Sequence, residues 1–167
     1  MRKVSSLNSA WLLTGGNLGD RKHNLATALS LIETHCGRVK QTSAVYETDA
    51  WGKNDQPRFL NQAIRIETGF TPLQLLKKIL AIEQTLGRTR DEKYGPRILD
   101  IDILLFADRI VNKPELIIPH PHMHQRRFVL APLAEIGGEL VHPVLHKTIT
   151  QLLDNCTDPL PVSIYKG

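Results

Sequence analysis

One apolar run that carries two carboxylates constrains this chain more than any other feature. In Tyr94-Gly95-Pro96-Arg97-Ile98-Leu99-Asp100-Ile101-Asp102-Ile103-Leu104-Leu105-Phe106, the acids interrupt the most strand-like hydrophobic stretch of the sequence. Side chains alternate along a strand, so Asp100 and Asp102 share one face, roughly 7 Å apart. Regular alternation puts Ile98, Leu104 and Phe106 on that face and Leu99, Ile101, Ile103 and Leu105 on the other. Carboxylates on an apolar strand are costly to desolvate, and they need a cation or a solvated strand end to stay ionised. Asp-x-Asp alone does not separate a metal site from a pair of acids held by Arg90 and Arg97. The flanks favour the metal. Arg88, Arg90, Lys93 and Arg97 precede the acids within one Gly- and Pro-containing loop, which suits a metal-bound polyphosphate gripped between carboxylates and guanidinium groups.

The length of 167 residues predicts one domain over 1–167 with its own core, residues 1–8 and 158–167 being terminal tails. A net charge of +4 is compatible with an anionic ligand but decides little. The apolar run Trp11 to Leu13 is too short for a signal-peptide core, and no stretch reaches membrane-spanning length. A cytoplasmic protein with no membrane partner is expected. Cys36 and Cys156 lack metal-type spacing and read as thiols rather than a disulfide.

In chain order, Ala10 to Thr14 form a short strand leading into Gly15-Gly16-Asn17-Leu18-Gly19-Asp20. The glycines read as a structural turn or a phosphate loop, although they match neither Gly-x-Gly-x-x-Gly nor Gly-x4-Gly-Lys-Ser/Thr. Asp20 caps a helix with Leu25, Ala28, Leu29 and Ile32 on its apolar face, ending near Gly37. Val39 to Thr48 read as a second strand, followed by a long loop containing Trp51. Phe59 to Thr68 form a third strand, with Leu60, Gln62, Ile64 and Ile66 on one face and Phe59, Asn61, Ala63 and Arg65 on the other. Thr71-Pro72 start a helix whose apolar face is Leu73, Leu76, Ile79 and Leu80. The order strand, helix, strand, strand, helix, strand is the split βαβ pattern of ferredoxin-like folds, which sets the strand of Asp100 beside the first strand. The fold class is therefore α+β, a ferredoxin-like βαββαβ core with a mostly antiparallel sheet, an extra hairpin and C-terminal helices.

The hairpin is expected at Ile110-Val111 and Leu116 to Ile118, and it leads to Pro119-His120-Pro121-His122-Met123-His124-Gln125-Arg126-Arg127-Phe128. Three alternating histidines make a zinc site only if the segment is a strand. Pro121 and the helical pattern from Phe128 argue instead for a loop entering a helix. A cationic phosphate grip of His120 and Arg126, with Arg127 nearby, is the alternative. The remainder to Leu153 reads as packing, with a helix from Thr148.

Several of these segments together resemble one family. They are Gly15 to Gly19, Tyr46-Glu47-Thr48, Asp55-Gln56-Pro57-Arg58-Phe59-Leu60-Asn61, Glu83 with Gly87-Arg88, Gly95 to Asp102, Pro119-His120 and Arg126 to Leu133. In order over about 10–155, they are similar to the 6-hydroxymethyl-7,8-dihydropterin pyrophosphokinases, folate-pathway enzymes that transfer pyrophosphate from ATP to a pterin alcohol. The resemblance implies that Asp100 and Asp102 bind two magnesium ions bridging the ATP phosphates, with Arg88 and Arg97 completing the catalytic set. It implies that Thr48 and Asn61 hydrogen-bond the pterin, that Phe59 and Phe128 sandwich it, and that Asp49 and Trp51 lie beside it. Arg88, Arg97, His120 and Arg126 would contact phosphates, Glu83 would support the nucleotide side, and Ile103 would lie near the adenine. Loops 49–57 and 88–97 would close over the substrates. The chain departs from the usual pattern at Gly16 for serine, at Asp49-Ala50 where proline is common, at Tyr94 for tryptophan, and at Pro121 for a tyrosine found in some members. The partners implied are ATP and a pterin, with no nucleic acid, acting on a monomer. Two other classes fit parts of the sequence: a basic ferredoxin-like module binding RNA, and a zinc hydrolase using His120, His122 and His124. Low aromatic content, 5%, and two acids in a central strand count against the RNA module.

Overall fold

The computed structural model describes residues 6–49, 56–87 and 98–167. The elements run β1 (Asn8–Gly16), α1 (Arg21–His35), β2 (Arg38–Thr42), β3 (Tyr46–Thr48), β4 (Phe59–Thr68), α2 (Pro72–Thr85), β5 (Asp100–Phe106), β6 (Val111–Lys113), β7 (Leu116–Ile118), α3 (Arg127–Gly137), α4 (Ile149–Asp154) and β8 (Val162–Ile164). Among the described residues the main sheet runs β5-β1-β4-β3-β8, with β2 also paired to β4. Every pairing is antiparallel, and β6 and β7 form a separate hairpin. The order β1-α1-β2-β3-β4-α2-β5 agrees with the sequence pattern once its second strand is divided into β2 and β3, and β5 lies beside β1 as expected.

The helices start where local chemistry dictates. Asp20 accepts from the His23 N–H at 3.1 Å and caps α1. Thr71 and Gln74 form a reciprocal capping box on α2 with Pro72 in its first turn, and Thr148 with Gln151 repeats the box on α4. The buried face of α2 is Leu75, Ile79 and Ile82, rotated from the one expected, and Leu80 is exposed.

The sheet is covered on both faces. One face carries Ala10, Leu12, Leu60, Ile64 and Ile66 against Leu25, Ala28 and Ile32 of α1 and Leu75, Ile79 and Ile82 of α2. The other packs Trp11, Leu13 and Ala63 against Val129, Leu130 and Leu133 of α3 and Ile149 and Leu152 of α4.

Four further expectations are corrected. Regular alternation in β5 fails because the register with β1 shifts between Trp11, opposite Leu105, and Leu12, opposite Ile103. The extra residue, Leu104, is a bulge that inverts the alternation beyond it. Phe106 consequently joins Leu99, Ile101 and Ile103 in the α1/α2 core, while Leu104 and Leu105 both face α3. The second strand is two strands, β2 and β3. Between them Ser43 turns inward, its backbone N–H donating to the Ala63 carbonyl at 2.9 Å and its hydroxyl accepting from the Ala63 N–H at 2.9 Å. Residues 158–167 are not a tail, since β8 adds a strand to β3 and Asp158 is buried. Asn8, placed in the other tail, belongs to β1.

Candidate active site

Register builds the site. Asp100 lies opposite Gly15, Gly15 opposite Asn61, and Asn61 opposite Tyr46, so one row crosses β5, β1, β4 and β3. Directly opposed residues present side chains on the same face, and adjacent strands are about 4.8 Å apart. Asp100 and Asn61 therefore stand roughly 10 Å apart with only backbone between them. The floor must be glycine, because a Cβ at position 15 would overlap the Asn61 amide nitrogen. Gly15 and Gly16 are thus strand residues, and the turn begins after them.

Asn61 is buried. Its Nδ2 donates to the Thr14 carbonyl at 3.4 Å, and its Oδ1 has no hydrogen-bond partner among the described residues. A buried amide oxygen left unsatisfied costs about 1–3 kcal/mol, which a ligand donor would recover. Thr48 is also buried, and its hydroxyl donates to the Pro161 carbonyl at 3.1 Å. The hydroxyl oxygen keeps its capacity to accept. Phe59 begins β4 opposite Thr48 and is half-buried. Asp49 pairs with Arg58 at 3.2 Å.

Asp100 is half-buried and Asp102 exposed, at the end of β5 beyond the cover of α3. The strand between them is held from the opposite side. Glu83, buried at the end of α2, accepts the Ile101 N–H at 2.8 Å through Oε2. Glu83 thus contacts the β5 backbone between the two acids. Ile103 buries its side chain in the α1/α2 core, on the opposite face from the carboxylates.

The third wall comes from the segment before α3. His120 is fixed by its N–H to the Leu104 carbonyl at 3.0 Å, and its Nδ1 accepts from the His122 N–H at 3.2 Å. Burial first, then the nearby Arg126 and His122, push the His120 pKa from 6.5 down to about 4. His120 is therefore neutral at ordinary pH with its proton on Nε2. In the free protein the His120 ring thus has an N–H to donate and carries no charge. The Arg126 guanidinium lies 5.8 Å from the centroid of the Phe128 ring, so charge and aromatic face arrive together. Arg127 turns away, donating to the carbonyls of Cys156 at 2.9 Å and Asp158 at 3.2 Å.

The histidines do not converge. The His120 and His122 rings meet edge to face at 6.1 Å, while His124 meets His142 at 6.4 Å. Among the described residues no three or more His, Cys, Asp or Glu side chains cluster as a metal site. A recess of about 470 Å³ lined by Asn17, Gly19, Arg21, Glu47 and Arg58 lies where α1 begins. There, Arg21 pairs with Glu47 at 2.9 Å. Asn17 donates to the Pro57 carbonyl at 2.9 Å, just before β4. Arg88, Arg97 and Trp51, with Arg90, Lys93, Tyr94 and Ala50, lie outside the described residues.

Sequence reasoning missed the floor at Gly15 and the contributions of Asp158 and Pro161. The alternation of Val162 and Ile164 was the available strand signal, obscured by Pro159 and Pro161.

Residues 11–138 match the family described as 7,8-dihydro-6-hydroxymethylpterin-pyrophosphokinase. The chain is 47% identical over 130 residues to 2-amino-4-hydroxy-6-hydroxymethyldihydropteridine pyrophosphokinase of Bacillus subtilis, covering 77% of this chain and 78% of that one. It is 43% identical over 148 residues to the enzyme of the same name from Methylorubrum extorquens, covering 84% and 94%. The fold is similar to a crystal structure of a Plasmodium falciparum HPPK-DHPS triple mutant, with TM-score 0.74 and 21% identity over 92% of this chain and 44% of that one. The present chain thus spans less than half of that protein.

Proposed function

Because the chain belongs to the 7,8-dihydro-6-hydroxymethylpterin-pyrophosphokinase family and so transfers pyrophosphate in folate biosynthesis, we propose that its two substrates meet along the Asp100–Gly15–Asn61 row. The observation that carries this reading is the Asn61 Oδ1, without a hydrogen-bond partner among the described residues, across a glycine floor from Asp100. A pterin edge presents adjacent donors and acceptors that a carboxamide complements. Thr48 flanks that edge, Phe59 and Phe128 contribute aromatic faces, Asp49 borders the pocket, and Trp51 is assigned to pterin binding by the family resemblance alone.

On the nucleotide side, Asp100 and Asp102 form a hard oxygen donor set at a strand end, a fit for magnesium rather than zinc. When bound, two magnesium ions would neutralise the ATP phosphates and lower the pKa of the attacking hydroxyl. His120 Nε2–H and Arg126 hold phosphate oxygens, as do Arg88 and Arg97, which also counter charge developing on the transferred group. Glu83 keeps the β5 backbone in place between the two acids. The hydroxymethyl oxygen of the pterin attacks the β-phosphorus of ATP. The bond from that phosphorus to the oxygen bridging to the α-phosphorus breaks, AMP leaves, and the hydroxyl proton passes to solvent. Orientation and charge neutralisation by these side chains carry the catalysis.

We take the enzyme to act as a monomer. No helix among the described residues is long and apolar enough to cross a membrane, and we place the enzyme in the cytoplasm as one domain. The test is AMP release from ATP with magnesium, with and without 6-hydroxymethyl-7,8-dihydropterin. Release that depends on the pterin alcohol is expected, and release indifferent to it refutes the reading.

A further inference from the structure

We propose that residues 156–165 form a strap that sets the two walls of the cleft relative to each other, with Asp158 as its positioning residue. This rests on the assignment of Arg126, Phe128 and Thr48 to the substrates made above. The strap lies beyond residue 138, where the family match ends.

The argument begins at the start of α3. The first N–H groups of a helix need outside acceptors, and the N-cap residue Arg126 makes no side-chain capping bond. Asp158 supplies the acceptor from 31 residues away, its Oδ2 taking the Arg127 N–H at 3.0 Å. Its Oδ1 accepts the Leu160 N–H at 3.0 Å, so the carboxylate itself is fixed. The residue is 5% exposed, and a carboxylate at a helix N-terminus is favoured by the helix dipole. The Arg127 side chain adds bonds to the Cys156 and Asp158 carbonyls. The helix entry is held by backbone and side chain alike, and Arg126 and Phe128 flank the residue that is held.

Three residues further along, the same segment grips the opposite wall. The Pro161 carbonyl accepts the Thr48 hydroxyl, Val162 pairs with Thr48 and Ile164 with Tyr46. The Tyr165 N–H donates to the Val45 carbonyl at 2.8 Å, and the Arg21 guanidinium covers the Tyr165 ring at 5.4 Å. Asp158 and Pro161 lie within roughly 10 Å of chain, so α3 and β3 are tied by a link too short to let them move independently. A helix that slid by one turn would carry Phe128 and Arg126 away from Thr48 and Phe59. The strap opposes it at the entry of α3, adding to Glu135 within the helix, whose carboxylate accepts the Tyr46 hydroxyl at 2.6 Å and the Ala44 N–H at 2.9 Å.

The experiment compares the full chain with Asp158→Ala and Asp158→Asn, measuring KM for 6-hydroxymethyl-7,8-dihydropterin and for ATP, kcat, and Tm, with assays run well below each Tm. Asp158→Ala is expected to raise both KM values about tenfold with kcat changed less. Asp158→Asn keeps one of the two acceptors, should fall between, and carries the test if the alanine variant does not fold. A lowered Tm with both KM values unchanged in the variant assayed would mean that Asp158 stabilises the fold without positioning the site, and would overturn the proposal. Absence of pterin-dependent turnover in the unsubstituted protein would overturn the underlying assignment and the strap with it, whereas normal turnover with insensitive variants overturns the strap alone.

Discussion

Asn61 offers the most direct test at the scale of single residues. Its amide is held on one side by Thr14 and open on the other. Asn61→Ala removes both a donor and an acceptor from the pterin contact, and a loss of about 1–3 kcal/mol is expected, seen by calorimetry as a roughly 10- to 100-fold weaker pterin affinity with ATP affinity unchanged. Asp100→Ala or Asp102→Ala should leave the fold intact, as judged by circular dichroism, and lower kcat by about a thousandfold, the equivalent of several kcal/mol of lost charge stabilisation. His120 supplies a spectroscopic check. Its ring resonances should titrate near pH 4 in the free protein, and the midpoint should rise when ATP binds, because a phosphate favours the protonated ring. A midpoint near 6.5 in the free protein would show that the burial and the Nδ1 contact described for it are wrong.

Elements place these residues by pairing rather than by chain proximity. β1 is the clearest case, since its last two residues form the floor over which Asp100 and Asn61 face one another. Gly15→Ala would push a methyl group into the Asn61 amide. An overpacking cost of about 1–3 kcal/mol is expected in denaturant unfolding, together with a weaker pterin affinity. Unchanged binding would mean that the Asn61 amide is not the pterin contact. The elements themselves were legible to different degrees. α2 and β4 carry clear periodicity and α1 and α2 carry caps, and they lie where Asp20, Thr71-Pro72 and the alternation of Phe59 to Thr68 put them. The bulge at Leu104 was not legible, because every residue from Ile103 to Phe106 is apolar and the pattern holds no record of which face each one takes. Asp100 and Asp102 were legible for the converse reason, as polar residues in an apolar strand. The roles of Gly15 and Asp158 depend on partners 46 and 31 residues away, and nothing local announces such pairings.

For the molecule as a whole, two neutral histidines set part of its response to acid. His120 and His142 both have pKa values lowered chiefly by burial, and His142 Nδ1 accepts from the Val144 and Leu145 N–H groups at 3.2 and 3.0 Å. In the unfolded chain both titrate near 6.5. Below that pH the unfolded state binds protons that the native state refuses, so stability is full above about 6.5 and falls as pH drops toward the lower folded-state values. Denaturant midpoints are therefore expected to decline from pH 6.5 toward 4.5. His142→Asn, whose side-chain oxygen can accept the same two N–H groups, should remove part of that decline, and an unchanged slope would exclude the contribution of His142. The row that begins at Asp100 and passes Gly15, Asn61 and Tyr46 ends at Ile164 of β8. Its members come from sequence positions that span nearly the full chain, and such non-local pairings form late because loop closure must precede them. With the pterin placed on that row as proposed, a chain with native helices but an incomplete sheet has no pterin site. Substrate binding thus reports finished assembly, and a saturating pterin and nucleotide would draw late intermediates toward the folded enzyme by mass action.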